Sequence, residues 1–554
     1  MSTTLNFKDV IDKPSWRPVS PAIAACTAGS SICGDHRNNE DRHPKLFEIT
    51  SATTVYRYNV KNDGWTQIAS PALAGTFGAG ANSVFCPHRG PRGTLTGTPT
   101  STTFALSTLE TLGGTALTAV QNDWADRGSG TQGFKIRIIS KANGATFDTY
   151  VQSNSAGTTP TVTVYPACPW TPASGDAYEF LSGRLYLISA GTTAAGVWKC
   201  LDVLTGQWSG NLSTTNLPGT LASTDSSLIC LDELYVPSNL NPGDGFFGNI
   251  TATGAAAGTI TGAASGLEST VLANEFRNFQ IRIVSDATNK TSVGQRLRIA
   301  SHTGGPSAVY TMCANWTVQP SSSAVFVIEG PNDIIYSANQ QTTTYTYFTD
   351  TTPGLNSGAS TADSWSNSMY AARGTACGAG TEMFWAHGVS NAIVAGVTTE
   401  ALYGAMDPNK NFRYSYLFSA RGGNGNVWDI LDIAGAANGA WTNAAPFDQA
   451  TGLNYFNTGT ASVYEASSMN GQFAYVNYIG SQQFNRVNLF ARSFDEWAYL
   501  RYPAGGTQTA GHRMATSIFC DPSGSPKVGF IYSRRYSAAT TGASTEMFES
   551  LISR

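Results

Sequence analysis

The chain has 554 residues, with 33 Lys and Arg against 37 Asp and Glu, for a net charge of −4. A weak negative field of that size excludes a protein that holds DNA or anionic lipid by bulk charge, so no sequence-specific nucleic-acid partner is expected. Charged residues are only 13%, while Gly, Ser, Thr and Ala are abundant. That composition suits short strands and tight turns, and the length suggests about three or four domains.

Residues 1–45 carry Pro14, Pro18 and Pro21 and then the polar run 35–44, with no helix or strand period. They are read as an extended N-terminal arm, either ordering against neighbouring subunits with Trp16 as an anchor or lying along its own fold. The first nine residues lack the basic start and apolar core of a secretory signal. No apolar run approaches the ~20 residues that span a bilayer, and no stable membrane insertion is expected. Nine cysteines are odd in number and sparse, which favours buried free thiols over a disulfide framework.

Residues 46–93 open with the run Leu46, Phe47, Glu48, Ile49. A strand run at 55–60 follows, then Asp63, Gly64 and Trp65. Residues 94–176 form a different unit, in which Ile136, Arg137 and Ile138 alternate with period two, a strand half-buried on a small core. Cys168, Trp170 and Phe180 mark its end. Residues 177–247 return to the first pattern, with a strand run at 183–191, a second at 197–202, and then Gly206 and Trp208. Residues 248–327 repeat the inserted unit, with Phe279, Ile281, Arg282, Ile283, Cys313, Trp316 and Phe326. Phe134 and Phe279, like Cys168 and Cys313, stand 145 positions apart, and Trp170 and Trp316, like Phe180 and Phe326, stand 146 apart. An internal duplication explains that constancy.

Residues 328–554 hold further copies of the outer pattern. One has strand runs at 414–423 and 427–432 before Trp441, and another has runs at 473–480 and 486–489 before Trp497. Each unit says strand, Gly turn, strand, polar turn, Trp. Units of about 50 residues, none able to bury both faces alone, stack radially into a propeller. The runs at 528–533 and 547–552 are expected to close the ring against residues 46–49.

The Gly turn, the strand after it and the following Trp resemble kelch repeats, although the paired glycines of that family appear only as Gly422 and Gly423. The resemblance implies an all-β fold, a kelch-like β-propeller of about six blades carrying two inserted small β-sandwich or barrel modules. The inserted units, each with a Thr/Val strand, a Trp near a Pro and an apolar closing strand, resemble small β modules of tailed-bacteriophage structural proteins. That resemblance implies a virion protein made in the host cytoplasm. Its work would be tail (nozzle or hub) assembly through contacts with other virion proteins, as a homo-oligomer; capsid decoration or fibre attachment fits the same residues. A reading of another class is a carbohydrate-binding or glycan-cleaving propeller that takes a host glycan.

Catalytic and metal constellations do not assemble in the sequence, so no catalytic, cofactor or metal residue and no enzyme activity is assigned. Cys26, Cys33, His36 and His43 lack the close pairing of structural zinc sites. Cys86 and His88 flank Pro87 and are read as a surface turn. His387 sits among aromatics, and His302 and His512 show no nearby partner. Asp63 is similar to an Asp-box turn residue of sialidases, but the preceding Ser spacing is wrong and the turn occurs once. The acidic loops at 241–245 and 521–524 lack the alternating ligands of an EF-hand.

Overall fold

The computed structural model describes residues 16–18, 31–34, 45–49, 55–59, 64–68, 82–86, 90–109, 116–126, 133–140, 146–189, 197–208, 226–231, 247–253, 258–265, 273, 280–293, 295–312, 315–316, 318–329, 334–339, 346–349, 364–366, 382–387, 415–422, 427–432, 440–445, 461–464, 473–477, 484–488, 493–495, 513–519, 528–534 and 547–552. These are almost entirely β, as the composition implies. Their helical content is the short turn Asp123–Asp126 and the 3₁₀ turn Lys290–Ser292.

The described strands form six antiparallel four-stranded sheets and two closed six-stranded barrels. Sheet I is Ser31–Gly34, Lys45–Ile49, Val55–Asn59 and Gly64–Gln67. Sheet II is Asn82–Cys86, Arg184–Ser189, Val197–Asp202 and Gln207–Trp208, and sheet III is Ser226–Leu231, Ile334–Asn339, Thr346–Thr349 and Ser364–Ser366. Sheet IV is Glu382–His387, Ser415–Ala420, Trp428–Asp432 and Ala440–Ala445. Sheet V is Ala461–Tyr464, Phe473–Asn477, Phe484–Asn488 and Ser493–Asp495. Sheet VI is Arg513–Phe519, Val528–Arg534 and Met547–Ile552, completed by Trp16–Pro18 from the other end of the chain.

Packing runs between first strands: sheet I touches II, II touches III, III touches IV, IV touches V, V touches VI, and VI touches I. Hydrogen bonds between first strands add to this packing. The Ser31 and Ser83 hydroxyls lie 2.7 Å apart between sheets I and II. Glu382 Oε2 accepts from the Ser462 hydroxyl at 3.1 Å and amide at 3.3 Å between sheets IV and V. Second strands have neighbours on both faces. In sheet II, Leu185, Tyr186, Leu187 and Ile188 are all buried, which is why that run is apolar without alternation. Trp198 stacks on Tyr186 with ring centres 5.4 Å apart, and Trp428 meets Phe384 edge-on in sheet IV.

The first barrel spans Arg92–Thr96, Thr103–Leu106, Lys135–Ile139, Thr146–Asn154, Thr161–Tyr165 and Ala177–Phe180. The second spans Phe247–Thr253, Thr259–Ser265, Gln280–Ser285, Arg296–His302, Ala308–Met312 and Val325–Glu329. Numbering the strands of each from its own start, both close in the cyclic order 1-2-5-4-3-6. Each barrel is inserted between the first and second strands of its sheet, the first in sheet II and the second in the neighbouring sheet III.

Three details differ from the sequence reading. The stretch 1–45 supplies strands to two sheets instead of an arm: Trp16–Pro18 pairs with Met547–Ile552, and Ser31–Gly34 pairs with Lys45–Ile49. The C-terminal strand therefore pairs with residues 16–18, while residues 46–49 pair within sheet I. Residues 177–180 and 328–329 belong to barrel strands, because Ala177–Phe180 and Val325–Glu329 complete the barrel ladders.

Candidate interaction surface on the paired barrels

On the outer face of the first barrel, ladder partners place Arg92, Glu179, Arg137 and Asp148 side by side across four strands. Period-two alternation puts them outside, because Ile136 and Ile138 on the same strand fill the barrel core. Arg137 grips Asp148 with both arms, Nε to Oδ1 at 2.7 Å and Nη2 to Oδ2 at 3.0 Å, and Lys135 Nζ adds a contact at 3.3 Å. Burial alone raises the Asp148 carboxyl, but the charges and hydrogen bonds of Arg137 and Lys135 outweigh it and hold it well below the ordinary carboxylate range.

The second barrel docks beside this row. Ile139 of the first barrel packs with Val284 and Val327 of the second, flanked by Ala177 and Val325. Arg282 Nη1 donates to Glu179 Oε2 at 2.9 Å, with the two side chains 5% and 3% exposed. So deeply buried a pair counts as an internal ion pair, unlike a screened surface contact.

A second polar hub organises the loop after the third strand of barrel two. Asp286 accepts from the Thr288 and Asn289 amides, the Ser292 hydroxyl, and the Ser321 amide and hydroxyl, at 2.6–3.0 Å. Burial pushes this carboxyl up, but the Ser321, Asn289 and Ser292 donors pull it down to about 2. A lowered folded-state pKa contributes stability that is present above the unfolded value near 4 and is lost as pH falls toward 2. We therefore expect acid unfolding of Asp286→Asn, followed by circular dichroism, to lose part of the steepness that the native protein shows between about pH 4 and 2. An unchanged acid limb would remove this role.

Cys33, Cys86, Cys168 and Cys200 are buried and form no disulfide. Burial pushes Cys33 up to about 12 despite a hydrogen bond with Ser83, and Cys168 up to about 11 despite one with the Trp170 backbone. A thiol near 12 is thiolate at only about one part in ten thousand at pH 8. Iodoacetamide labelling with peptide mapping should leave Cys33 and Cys168 unmodified in the native protein and label both in guanidinium. Rapid native labelling of either would contradict the packing.

Other residues singled out in the sequence have structural surroundings. Cys86 is the buried last residue of an inner strand, not part of a surface turn, and His387 ends the inner strand of sheet IV. His302 lies against Tyr310 with ring centres 5.2 Å apart, and its Nδ1 is 2.9 Å from the Thr303 carbonyl. Cys26, His36, His43, Asp63, His88, His512 and the loops at 241–245 and 521–524 lie outside the described residues. Among the described residues no group of three His, Cys, Asp or Glu side chains is placed to hold a metal. The paired-barrel contact has no signal in the sequence, because Glu179 and Arg282 lie 103 positions apart and meet only through docking.

No family model matches the chain, and no curated protein matches it. Solved structures similar to it include AztD of Citrobacter koseri, at 9% identity and a TM-score of 0.24, covering 96% of this chain and 94% of that one. An alpha-L-arabinanase of Penicillium chrysogenum complexed with arabinobiose is similar at 8% identity and a TM-score of 0.23, covering 97% of each chain. The NanB sialidase of Streptococcus pneumoniae is similar at 7% identity and a TM-score of 0.22, covering 97% of this chain and 93% of that one. At these values the likeness assigns neither a fold family nor an activity.

Proposed function

We propose that the protein is an assembly component of a tailed-phage virion, a six-bladed kelch-like propeller that carries two copies of a β-barrel module as a docking platform. The six sheets serve as blades, and Trp16–Pro18 completes the last of them from the opposite chain end. The observation that carries the reading is the shared insertion point of the barrels. Both leave the ring between the first and second strands of neighbouring sheets, and they meet in one unit.

An arrangement of this kind presents a large rigid surface for protein contacts. Buried carboxylates with described partners are tied into the fold: Asp148 to Arg137, Glu179 to Arg282, Asp429 to Arg421 and Glu382 to Ser462. Assembly of several copies in the tail, around the DNA exit path, suits a chain of weak negative charge, because a strongly basic lumen would retain DNA by its phosphates.

Light scattering of the purified protein, with electron microscopy of any oligomer and a glycan array run alongside, tests the proposal. A ring or defined cluster of copies without saturable glycan binding is the expected result. A monomer that binds one glycan class saturably would overturn it in favour of a carbohydrate-recognising propeller.

A further inference from the structure

The strand ladders show which residues of the two barrels are equivalent. Arg137 faces Glu179 on one side and Asp148 on the other. At the same ladder positions of the second barrel, Arg282 faces Val327 and Arg296. The basic residue has therefore been kept in both copies, while both flanking carboxylates are absent from the second. The apolar contact is also built from equivalent places: Ile139 corresponds to Val284, Ala177 to Val325, and Glu179 to Val327. One face, formed by the third and sixth strands, thus meets its own counterpart as the faces of an isologous dimer do.

We propose that this third-and-sixth-strand face is a homotypic docking surface of the module, made one-way by the exchange of charge between copies. The first barrel keeps Asp148 for its own Arg137 and Lys135 and lends Glu179 to the second. The second has no carboxylate at either ladder neighbour of Arg282 and takes Glu179 across the interface. The second copy then selects the first over its own kind. Two second barrels face to face would bury two arginines beside Val327, with no acid at those positions, whereas the mixed pair joins Arg282 to Glu179. In an assembly of many chains, that preference disfavours docking of one second barrel on another.

The test uses the full chain with dyes at the exposed turn positions Thr158 and Ser307, one on each barrel, introduced as cysteines. Single-molecule energy transfer should give one narrow population in the otherwise native protein. Arg282→Glu, which sets two carboxylates against each other, is expected to lower the docked-to-undocked ratio by at least about 100-fold. It should also raise the apparent mass by light scattering, as the uncovered Ile139 and Val327 faces find other chains. Val284→Arg breaks the apolar half alone and is expected to undock the barrels as well. If Arg282→Glu prevents folding, as judged by circular dichroism, Arg282→Gln replaces it with an expected fall of about tenfold. Native-like transfer in the folded arginine variant would overturn the one-way charge assignment, and native-like transfer in folded Val284→Arg would overturn the docking face.

Discussion

Replacing Asp148 by asparagine is expected to lower the stability of the first barrel by about 3–5 kcal/mol, the range found when one partner of a buried ion pair is removed. Asp148 has only 5% of its side chain exposed and accepts a two-armed contact from Arg137 and a third contact from Lys135. Asparagine keeps the shape but removes the charge, so two cations stay in a low-dielectric site, and Glu179 is the carboxylate left beside Arg137. Glu179 is already committed to Arg282. The loss should therefore reach the second barrel through competition of Arg137 for Glu179. Because Asp148 is held well below its ordinary range, its contribution is present above the unfolded pKa near 4 and disappears as pH falls through the folded value. Urea melts at pH 7 should show the full penalty, and melts near pH 2 a smaller one. An equal penalty at both pH values, or one below about 1 kcal/mol at pH 7, would sink the electrostatic account.

The sequence made the duplicated barrels legible because their third strands alternate cleanly, Ile136 and Ile138 in the first and Ile281 and Ile283 in the second, around buried apolar cores. Its spacing was less exact at the closing strand. Phe180 and Phe326 look equivalent, but the ladders pair Tyr178 with Ile138 and Phe326 with Ile283, so Tyr178 is the true counterpart of Phe326. The two adapt locally: a side chain added at Gly262 would run into the Phe326 ring, whereas Leu106 holds the corresponding place in the first barrel. In the outer repeat, Trp65, Trp208 and Trp441 were readable as markers and all lie in fourth strands. Trp365 does the same in sheet III but is not marked in the sequence, because the connection from Thr349 to Ser364 is much longer than the polar turn before Trp65, Trp208 or Trp441. Inner strands such as Asn82–Cys86 and Glu382–His387 were missed for another reason. Asn82–Cys86 offers only Val84, Phe85 and Cys86 as a short apolar run, with no alternation and no following Gly turn and Trp to mark it, unlike the equally buried second strands. Trp16–Pro18 was hidden by its proline and by being only three residues long.

The second large effect is expected where the chain leaves the first barrel for the second strand of sheet II. Gly183 stands between the closing barrel strand and the second strand of sheet II, with φ of +89°, a region that L side chains rarely enter. A Cβ there would also overlap the edge of the Phe85 ring. Phe85 has little room to retreat, being 1% exposed and packed on Phe47 of sheet I with ring centres 4.6 Å apart. Gly183→Ala therefore carries backbone strain of about 1–3 kcal/mol together with an overpacking cost of similar size. A total loss near 3–5 kcal/mol, measured from urea denaturation, is the expected result. The two parts separate in a double-mutant cycle with Phe85→Leu, which shortens the obstructing ring and leaves the positive φ untouched. Coupling of at least about 1 kcal/mol in the favourable direction would assign that share to the clash, and the remainder to the backbone. Strict additivity would show that the ring is not the obstacle. A fully tolerated alanine would mean that the chain leaves the barrel along a different path, and the positive φ at Gly183 would then not be a requirement of joining barrel to sheet.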